Sequence, residues 1–435
     1  MTSSIEALTI ALVLIVLLGA GVWIGLALIL TGWFTIWAFT SSPPGMIFAT
    51  TAWEASSNWT LTALPLFIWM GEILYRTRLA QDMFTGLAPF LQRLPGRLAH
   101  VNVVACGIFA AVSGSSAATT ATIGRISLPE LKKRGYDDRL AIGSLAGAGT
   151  LGLLIPPSVV MIVYGVAAQV SITRLFIAGI LPGLLLMALF SGYIVIWALM
   201  HPERMPQGIE RISLTEKIIR ARLLIPVVAL IVAVIGSIYA GIATATEAAA
   251  LGVLGALIIA AVSGGLTRAS FVEALVGAAK TSCMIGLILL GAAYLTKAMS
   301  FSGLPADLAR LIAGLGLSEA MLVLVLTLFY ILLGMFLDGI SIVVLTTSVV
   351  LPAVVAAGLD PVWFGIYLVI VVEMAQITPP LGFNLFVIQG LTGRGIFTIA
   401  RMTFPFFLML CLLVVLITIP GNIVISTTST VSYTH

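Results

Sequence analysis

Apolar stretches, separated by short polar or glycine-rich segments, run along almost the whole chain. A transmembrane helix needs about 20 apolar residues. The first stretch, Ile5 to Phe39, is too long for one span, and Gly19 to Gly21 predicts a turn that divides it. Other stretches, such as Leu175 to Met200 and Ile242 to Val262, are long enough to cross once. The pattern predicts an all-α chain that crosses a membrane many times.

The segment at about residues 98–131 holds two apolar arms that are each shorter than a span. Leu98 to Val112 and Ala117 to Leu128 flank the polar segment Ser113 to Ser116, and basic residues lie outside both arms. Two short arms with the same cytoplasmic flank predict a re-entrant hairpin whose tip is the serine segment. Such backbone is tolerated at membrane depth only inside protein or beside a water-filled cavity.

Helix breakers recur at a separation of 223 positions. Pro156-Pro157 corresponds to Pro379-Pro380. The same offset pairs Pro129 with Pro352, Gly135 with Gly358, Asp137 with Asp360 and Pro182 with Pro405. A bias toward apolar residues would explain matching hydrophobic positions but not matching breakers. We therefore expect two repeats, residues 1–222 and 223–435, with a second re-entrant hairpin at about residues 319–354.

The charges on corresponding loops differ. Lys132 to Arg139 holds four basic residues, whereas Val355 to Val362 holds none. Because basic residues in short loops mark the cytoplasmic side, the second repeat is expected to have the opposite orientation. About ten transmembrane helices and two hairpins result, with both termini outside the cytoplasm. Inverted repeats with interrupted helices are typical of secondary transporters, whose binding sites lie near the membrane midplane.

Composition agrees with this class. Of the 435 residues, 60% are hydrophobic and 9% are charged, whereas soluble domains carry about 25% charged residues. The net charge of +4 therefore bears on orientation and not on nucleic-acid binding. No Lys or Arg precedes Arg76, so the chain lacks the basic start of a cleavable signal peptide. A cytoplasmic loop is expected from Ser263 to Lys280. The cysteines fit no metal spacing: Cys106, Cys283 and Cys411.

The interrupted helices are the predicted binding elements. A helix that ends within the membrane exposes carbonyl groups that suit Na⁺, and the next helix exposes N–H groups that suit a carboxylate. Ser113 to Ser116 forms one such junction, and Asp338-Gly339, with Gly334 one turn earlier, forms the other. The alternative interpretation is close helix packing through small residues.

The proline pairs extend this prediction. Because proline has no N–H, Pro156-Pro157 leaves the carbonyls of Gly152 and Leu153 unpaired. Pro379-Pro380 does the same for two further carbonyls, those of Ala375 and Gln376. Two cation sites, one in each repeat, are predicted, and simple proline kinks are the alternative.

Several polar side chains are additional candidates. Among the intramembrane acidic residues, Asp338 is the best ligand candidate, Glu247 is equally well explained as a helix cap, and Glu373 is compatible with a structural role. Ser158 and Asn384 follow the proline pairs, where they either bind substrate or join helices. Arg125 is more readily explained by snorkelling than by substrate binding.

Three segments carry a resemblance to a known family. They are Gly114 to Asp137, Ala243 to Ala250 and Ile377 to Val387, which read G-S-S-A-A-T-T-A-T-I-G-R-I-S-L-P-E-L-K-K-R-G-Y-D, A-T-A-T-E-A-A-A and I-T-P-P-L-G-F-N-L-F-V. Together they resemble the large membrane subunit of tripartite ATP-independent periplasmic (TRAP) transporters, which is similar in plan to elevator-type ion transporters.

The resemblance implies a Na⁺-driven importer of small carboxylates in the bacterial inner membrane, with both termini periplasmic. It implies two partners, a small four-helix membrane subunit, expected as a separate chain, and a periplasmic binding protein. It also implies two Na⁺ sites and no permanently bound cofactor. One site would comprise Ser113, Ser115, Gly152 and Ile155, and the other Phe336, Asp338, Ala375 and Thr378. Substrate is expected at four positions beside these sites: Ser116, Ser158, Gly339 and Asn384.

Two other functions are considered. A stand-alone sodium/dicarboxylate symporter would share the mechanism and work without a binding protein. An intramembrane serine hydrolase would need a base beside a tip serine, but the histidines are His100, His201 and His435, none of them near the tips in sequence. ATP-driven transport would require a phosphate-binding loop, and this sequence has none. The sequence therefore favours a transporter over an enzyme.

Overall fold

The computed structural model of the chain describes residues 2–206, 213–303, 318–380 and 382–418. The described helices are, in chain order, α1 Thr2–Gly19, α2 Ile24–Phe39, α3 Pro44–Ser56, α4 Ala63–Tyr75, α5 Leu79–Leu91, α6 Ala99–Ser113, α7 Ser116–Lys133, α8 Asp138–Gly149, α9 Leu151–Leu154, α10 Val159–Ala167, α11 Ile172–Met200, α12 Leu214–Ala221, α13 Ile225–Tyr239, α14 Ala245–Val262, α15 Arg268–Ser302, α16 Glu319–Gly334, α17 Gly339–Ala356, α18 Pro361–Gln376, α19 Phe383–Thr392 and α20 Ile396–Thr418. The described residues contain no strand, which confirms the all-α prediction.

Within the described ranges, six helices are long and apolar enough to cross a membrane, and a seventh span results if α8, α9 and α10, bent by 40°, are counted together. The six are Ile172–Met200, Leu214–Tyr239, Ala245–Val262, Arg268–Phe301, Gly339–Ala356 and Ile396–Thr418. Several other apolar helices, including α2, α6, α16 and α18, are shorter. The chain is thus a multi-pass membrane protein, and the count of ten spans stays a prediction.

Helix boundaries recur at the offset found in the sequence. α7 covers residues 116–133 and α17 covers 339–356, which is 223 positions later at both ends. α8 begins at Asp138 and α18 at Pro361, again 223 positions apart. Both repeats therefore contain the order helix, tip, helix, broken helix, long helix. The inverted orientation of the two copies stays a prediction.

The centre of the molecule is formed by the broken helices. Every residue of α18 from Val362 to Ala375 is buried, as is every residue of α8 from Leu140 to Gly149. Apart from Glu373 and Ser144, these segments are apolar on all faces, which is expected of elements enclosed by other helices. Glycines allow the outer helices to approach closely. A Cβ placed on Gly291 of α15 would lie 2.5 Å from the carbonyl oxygen of Gly25 in α2.

One predicted loop is largely helical. The segment from Ser263 to Lys280 was expected to be a cytoplasmic loop, but α15 begins within it at Arg268. Thr267 caps this helix by accepting a hydrogen bond from the N–H of Ser270, and the Ser270 hydroxyl accepts one from the Thr267 N–H. This reciprocal capping satisfies two amides that would otherwise be unpaired, and it starts the helix before the apolar segment.

Candidate functional site

The first predicted tip is a sharp junction between α6 and α7. Gly114 has φ +60°, a left-handed conformation, and a Cβ there would lie 2.8 Å from the carbonyl oxygen of Pro157. Glycine is therefore required both by the turn and by the close approach of the broken helix. Ser115 then starts α7, because its hydroxyl accepts a hydrogen bond from the N–H of Ala118 at 3.4 Å.

The first broken helix packs directly on this tip. A Cβ on Gly152 would lie 2.6 Å from the carbonyl oxygen of Ser115 and 2.6 Å from the Cα of Ser116. The N–H of Val159, at the start of α10, donates to the Gly114 carbonyl at 3.4 Å. The structure thus brings Ser115 and Gly152 of the first predicted cation set into contact. Ile155 packs its side chain against Gly183 of α11.

The second tip lies between α16 and α17. The Asp338 carboxylate accepts hydrogen bonds from the N–H groups of Ile340, at 3.1 Å, and Ser341, at 3.3 Å, and from the Ser341 hydroxyl. This side chain is therefore engaged as a helix cap, as Ser115 is at the corresponding position. A Cβ on Gly339 would lie 2.6 Å from Val372 of α18 and 3.6 Å from Leu153 of α9.

The second cation set is only partly as expected. Gly334 contacts the side chain of Ala375, so the hairpin and the broken helix α18 do meet. However, the Ala375 carbonyl accepts a hydrogen bond from the Thr378 N–H at 3.1 Å, so it is not unpaired as the proline rule predicted. The chain tightens into a turn of the i to i+3 type before the prolines. The Thr378 N–H uses one of the two lone pairs of the Ala375 carbonyl oxygen, and the other lone pair remains for a cation. The Phe336 side chain is 70% exposed.

A cavity of about 430 Å³ lies between the two tips. The first tip contributes Ser113, Gly114 and Ser115, the second contributes Ile340, and the first broken helix contributes Leu153 and Val159. α4 closes one side with Gly71, Glu72, Tyr75 and Arg76. A Cβ on Gly71 would lie 3.0 Å from the Ser113 carbonyl oxygen, so glycine lets the tip approach α4.

Helix ends of both signs face this cavity. Ser115, Val159 and Ile340 lie at the starts of α7, α10 and α17, where the helix dipole is positive, although the N–H groups of Val159 and Ile340 already donate to Gly114 and Asp338. Ser113 and Leu153 lie at the ends of α6 and α9, where carbonyl groups carry partial negative charge. The arrangement can hold an anion and a cation close to each other.

The residues predicted to bind substrate lie next to this cavity, not among the residues that line it. Ser116 is buried and donates its hydroxyl to Glu373. Ser158 is buried and caps α10 by accepting from the N–H of Met161 at 3.3 Å. Gly339 and Asn384 are buried at the starts of α17 and α19. Ser116, Ser158 and Gly339 are each adjacent in sequence to a residue that lines the cavity, whereas Asn384 is not.

Glu373 has a larger part in the site than the sequence indicated. It is completely buried in α18, and its Oε1 accepts from the Ser116 hydroxyl of the first hairpin and from the Leu153 N–H at 3.1 Å. One carboxylate thus joins the second broken helix to the first hairpin and to the first broken helix. An acidic residue in an apolar stretch was the available sequence signal.

Charged groups surround the mouth of the cavity on the α4 side. Arg76 forms ion pairs with Glu72 and, at 3.7 Å, with Glu273. Arg125 of α7 stacks over the Tyr75 ring at 5.7 Å, a cation–π contact between the first hairpin and α4.

Glu247 lies apart from this cavity, at the start of α14. It forms a reciprocal capping box with Thr244, which favours the interpretation of this residue as a helix cap.

A second cavity, of about 470 Å³, lies beside the middle of α17. It is lined by residues of α3, α10, α15 and α17 and by the segment after α10, among them Glu54, Gln169, Lys297 and Ser348. Glu54 and Lys297 form an ion pair of 2.8 Å across its edge.

An all-helical, multi-pass membrane protein with two helix–tip–helix units and two broken helices around one cavity has the architecture of a membrane transporter. A family profile described as "Tripartite ATP-independent periplasmic transporter, DctM component" matches residues 11–423. The chain belongs to this family, which confirms the resemblance seen in the sequence. Members of the family are transporters, which also confirms that the chain is not an enzyme.

Relatives with described functions agree. The chain is 33% identical over 366 residues to the C4-dicarboxylate TRAP transporter large permease protein DctM of Pseudomonas aeruginosa, covering 84% of this chain and 85% of that protein. It is 33% identical over 409 residues to the isethionate TRAP transporter permease protein DctMQ of Oleidesulfovibrio alaskensis, covering 92% of this chain and 63% of that longer protein. It is 33% identical over 355 residues to an ectoine/5-hydroxyectoine TRAP transporter large permease of Ruegeria pomeroyi, covering 81% and 82%.

The fold also resembles a solved structure. The YdaH transporter of Alcanivorax borkumensis, whose crystal structure is described as having an unusual topology, aligns with a TM-score of 0.62 over 88% of each chain. Sequence identity is 15%, so the likeness concerns the fold alone.

Proposed function

We propose that this chain is the large permease subunit of a Na⁺-coupled importer that carries a small organic acid across the bacterial inner membrane. The observation that carries the proposal is the meeting of two helix tips and a broken helix around the 430 Å³ cavity. Helix ends of both signs face that space, and a coupled carrier needs cation and anion sites that are occupied together.

Two Na⁺ sites are proposed, one at each tip. The first uses oxygen atoms of Ser113, Ser115, Gly152 and Ile155, and the contact between Gly152 and Ser115 supports it. The second uses Phe336, Asp338, Ala375 and Thr378, chiefly through backbone oxygens. The capping of α17 by the Asp338 carboxylate favours a backbone contribution from that residue over a side-chain one.

The substrate class follows from the helix dipoles. The starts of α7 and α10 face the cavity without an acidic cap, and their positive dipole ends favour an anionic group such as a carboxylate. Ser116, Ser158 and Gly339 remain proposed contacts beside it. Relatives carry C4-dicarboxylates, isethionate or ectoine, and each of these molecules has an anionic group. We propose a small organic acid as the substrate of this chain.

Orientation follows from the charged mouth. Arg76 lines the cavity and is followed by Arg78, so the positive-inside rule makes this mouth cytoplasmic. The structure then corresponds to an inward-facing state, with both termini in the periplasm. Movement of the two hairpins and broken helices against the α2–α15 pair, as in an elevator, would open the site to the other side.

Two partners complete the transporter. A small four-helix membrane subunit and a periplasmic substrate-binding protein are proposed, because the family is described as tripartite. The large exposed apolar side chains of α13 and α14, such as Val232, Ile258 and Val262, fit contact with lipid or with a membrane subunit.

The test is reconstitution of the permease and its small subunit in liposomes, with the binding protein added outside. Accumulation of a labelled organic acid is expected only with an inward Na⁺ gradient and with the binding protein present. A choline gradient is the control for Na⁺. Accumulation that is independent of Na⁺ would refute the coupling. Na⁺-driven accumulation by this chain alone would instead favour a stand-alone sodium/dicarboxylate symporter.

A further inference from the structure

Among the described residues, several wholly buried polar side chains keep a polar atom without a hydrogen-bond partner, and three of them, outside the two proposed Na⁺ sites, lie on helices that meet. They are Thr120 of α7, Glu373 of α18 and Asn384 of α19. The unpartnered atoms are Thr120 Oγ1, Glu373 Oε2, and Oδ1 and Nδ2 of Asn384. Each such atom costs about 1–3 kcal/mol when it is left unsatisfied. Several of them on neighbouring helices indicate a ligand that satisfies them together.

Contacts place Thr120 and Glu373 at the same junction. Glu373 Oε1 accepts from Ser116, one turn before Thr120 on α7, and from the N–H of Leu153. Thr120 Oγ1 lies against Gly149, which is four residues before Leu153. Both side chains therefore lie where the start of α7 meets the end of α8 and α9.

Helix register places Asn384 at the same level. A Cβ on Gly124 of α7 would lie 2.8 Å from Leu391 of α19. Glu373, near the end of α18, reaches Ser116 at the start of α7, and α19 follows α18 in the chain. The start of α19 therefore lies near the start of α7, whereas Leu391, near the end of α19, lies beside Gly124, further along α7. The two helices thus run in the same direction. Asn384 precedes Leu391 by seven residues, or about 10 Å, and shares its helix face. That position is level with Ser116 to Thr120.

The charge of Glu373 identifies the class of ligand. No Lys, Arg or His among the described residues forms an ion pair with this carboxylate. An ionised carboxylate buried without a counter-charge is strongly destabilising, so Glu373 needs either a proton or a bound cation. Carboxylate, hydroxyl and amide oxygens are hard ligands, and a single negative charge suits a monovalent ion. No group of three His, Cys, Asp or Glu that would favour a multivalent metal occurs in the described part of the chain.

We propose that Thr120 Oγ1, Glu373 Oε2 and Asn384 Oδ1 bind a third Na⁺, separate from the two sites built on the helix tips. The inference rests on the proposed Na⁺ coupling and reassigns Asn384 from substrate to cation. Positions related to these by the 223 offset are Val343, Thr150 and Met161, so the symmetry-related junction lacks this ligand set. The third site therefore takes ligands from both repeats and occurs once.

The experiment is equilibrium binding of ²²Na⁺ to the complex of permease and small subunit in nanodiscs. Glu373→Gln and the nearly isosteric Thr120→Val are each expected to lower the number of Na⁺ bound per permease by one. The matched control is Ser127→Ala. Ser127 is on α7, wholly buried and unpartnered, but seven residues from Thr120, and its variant is expected to bind as many Na⁺ as the unaltered protein.

An unchanged Na⁺ count in Glu373→Gln and Thr120→Val would overturn the third site, since water or a proton would then satisfy the cluster. If Glu373→Gln does not fold, Thr120→Val decides alone. If the two variants bind as many Na⁺ per permease as the unaltered protein and Na⁺-driven uptake continues, only the third site is refuted and the proposed function stands. Absence of Na⁺ binding and of Na⁺-driven uptake in the unaltered protein would refute the proposed function itself.

Discussion

The contact between Gly152 and the first tip is the most direct test of the proposed Na⁺ site. In Gly152→Ala the new Cβ would lie 2.6 Å from the Ser115 carbonyl oxygen and from the Ser116 Cα, both of them backbone atoms. Unstrained contacts between such atoms require about 3.5–4.0 Å. The tip must therefore move away from the broken helix by about 1 Å, which separates the oxygen atoms assigned to one cation.

The expected magnitude follows from the cost of overpacking. Inserting one methyl group into a tightly packed interior costs about 1–3 kcal/mol. If the ion-bound state carries that cost, the Na⁺ concentration for half-maximal uptake rises about 5- to 150-fold. Uptake by proteoliposomes, measured against external Na⁺ at constant ionic strength with choline, gives this value directly.

Gly143→Ala, in α8 of the same broken helix, is the matched control. Its Cβ would lie 2.5 Å from the carbonyl oxygen of Met402 in α20, away from the tips. This variant is expected to unfold at a lower temperature while keeping the Na⁺ dependence of the unaltered protein. If Gly152→Ala shows the same Na⁺ dependence as Gly143→Ala, the contact of Gly152 with Ser115 does not form the cation site.

Three further predictions concern the second tip and the surface. Asp338→Ala should destabilise the protein by about 1 kcal/mol, because the cap of α17 is lost. Asp338→Asn should retain most of the stability and of the Na⁺-driven uptake, because asparagine also caps a helix. An equal loss of uptake in both variants would instead indicate that the Asp338 carboxylate is a charged ligand. Gly334→Ala should impair uptake by displacing Ala375, and adding Ala375→Gly should restore it; failure of this rescue would contradict direct contact between these residues. Arg394→Gln removes a half-exposed ion pair with Asp138 and should change the free energy of unfolding by less than about 1 kcal/mol, as measured by thermal unfolding.

Much of the local structure was predictable, because it depends on properties that single residues carry with them. Proline has no N–H, glycine adopts left-handed backbone, and serine or aspartate caps a helix. These properties are why the breaks at Pro156-Pro157 and Pro379-Pro380, and the tips at Ser115 and Asp338, lie where the pattern placed them. The proline rule was wrong for the Ala375 carbonyl, which the Thr378 N–H reaches by tightening the turn.

The pairing of these elements was decided by tertiary packing. Glu373 reaches Ser116 across 257 positions and Leu153 across 220, and no periodicity relates such residues. Leu153 likewise lies close to Gly339 of the other repeat, 3.6 Å from the position of a Cβ on that glycine, and it lines the shared cavity. Local chemistry specifies where a helix stops and which groups it exposes there. Which exposed groups meet depends on how closely the helices pack, and that is a property of the assembled fold.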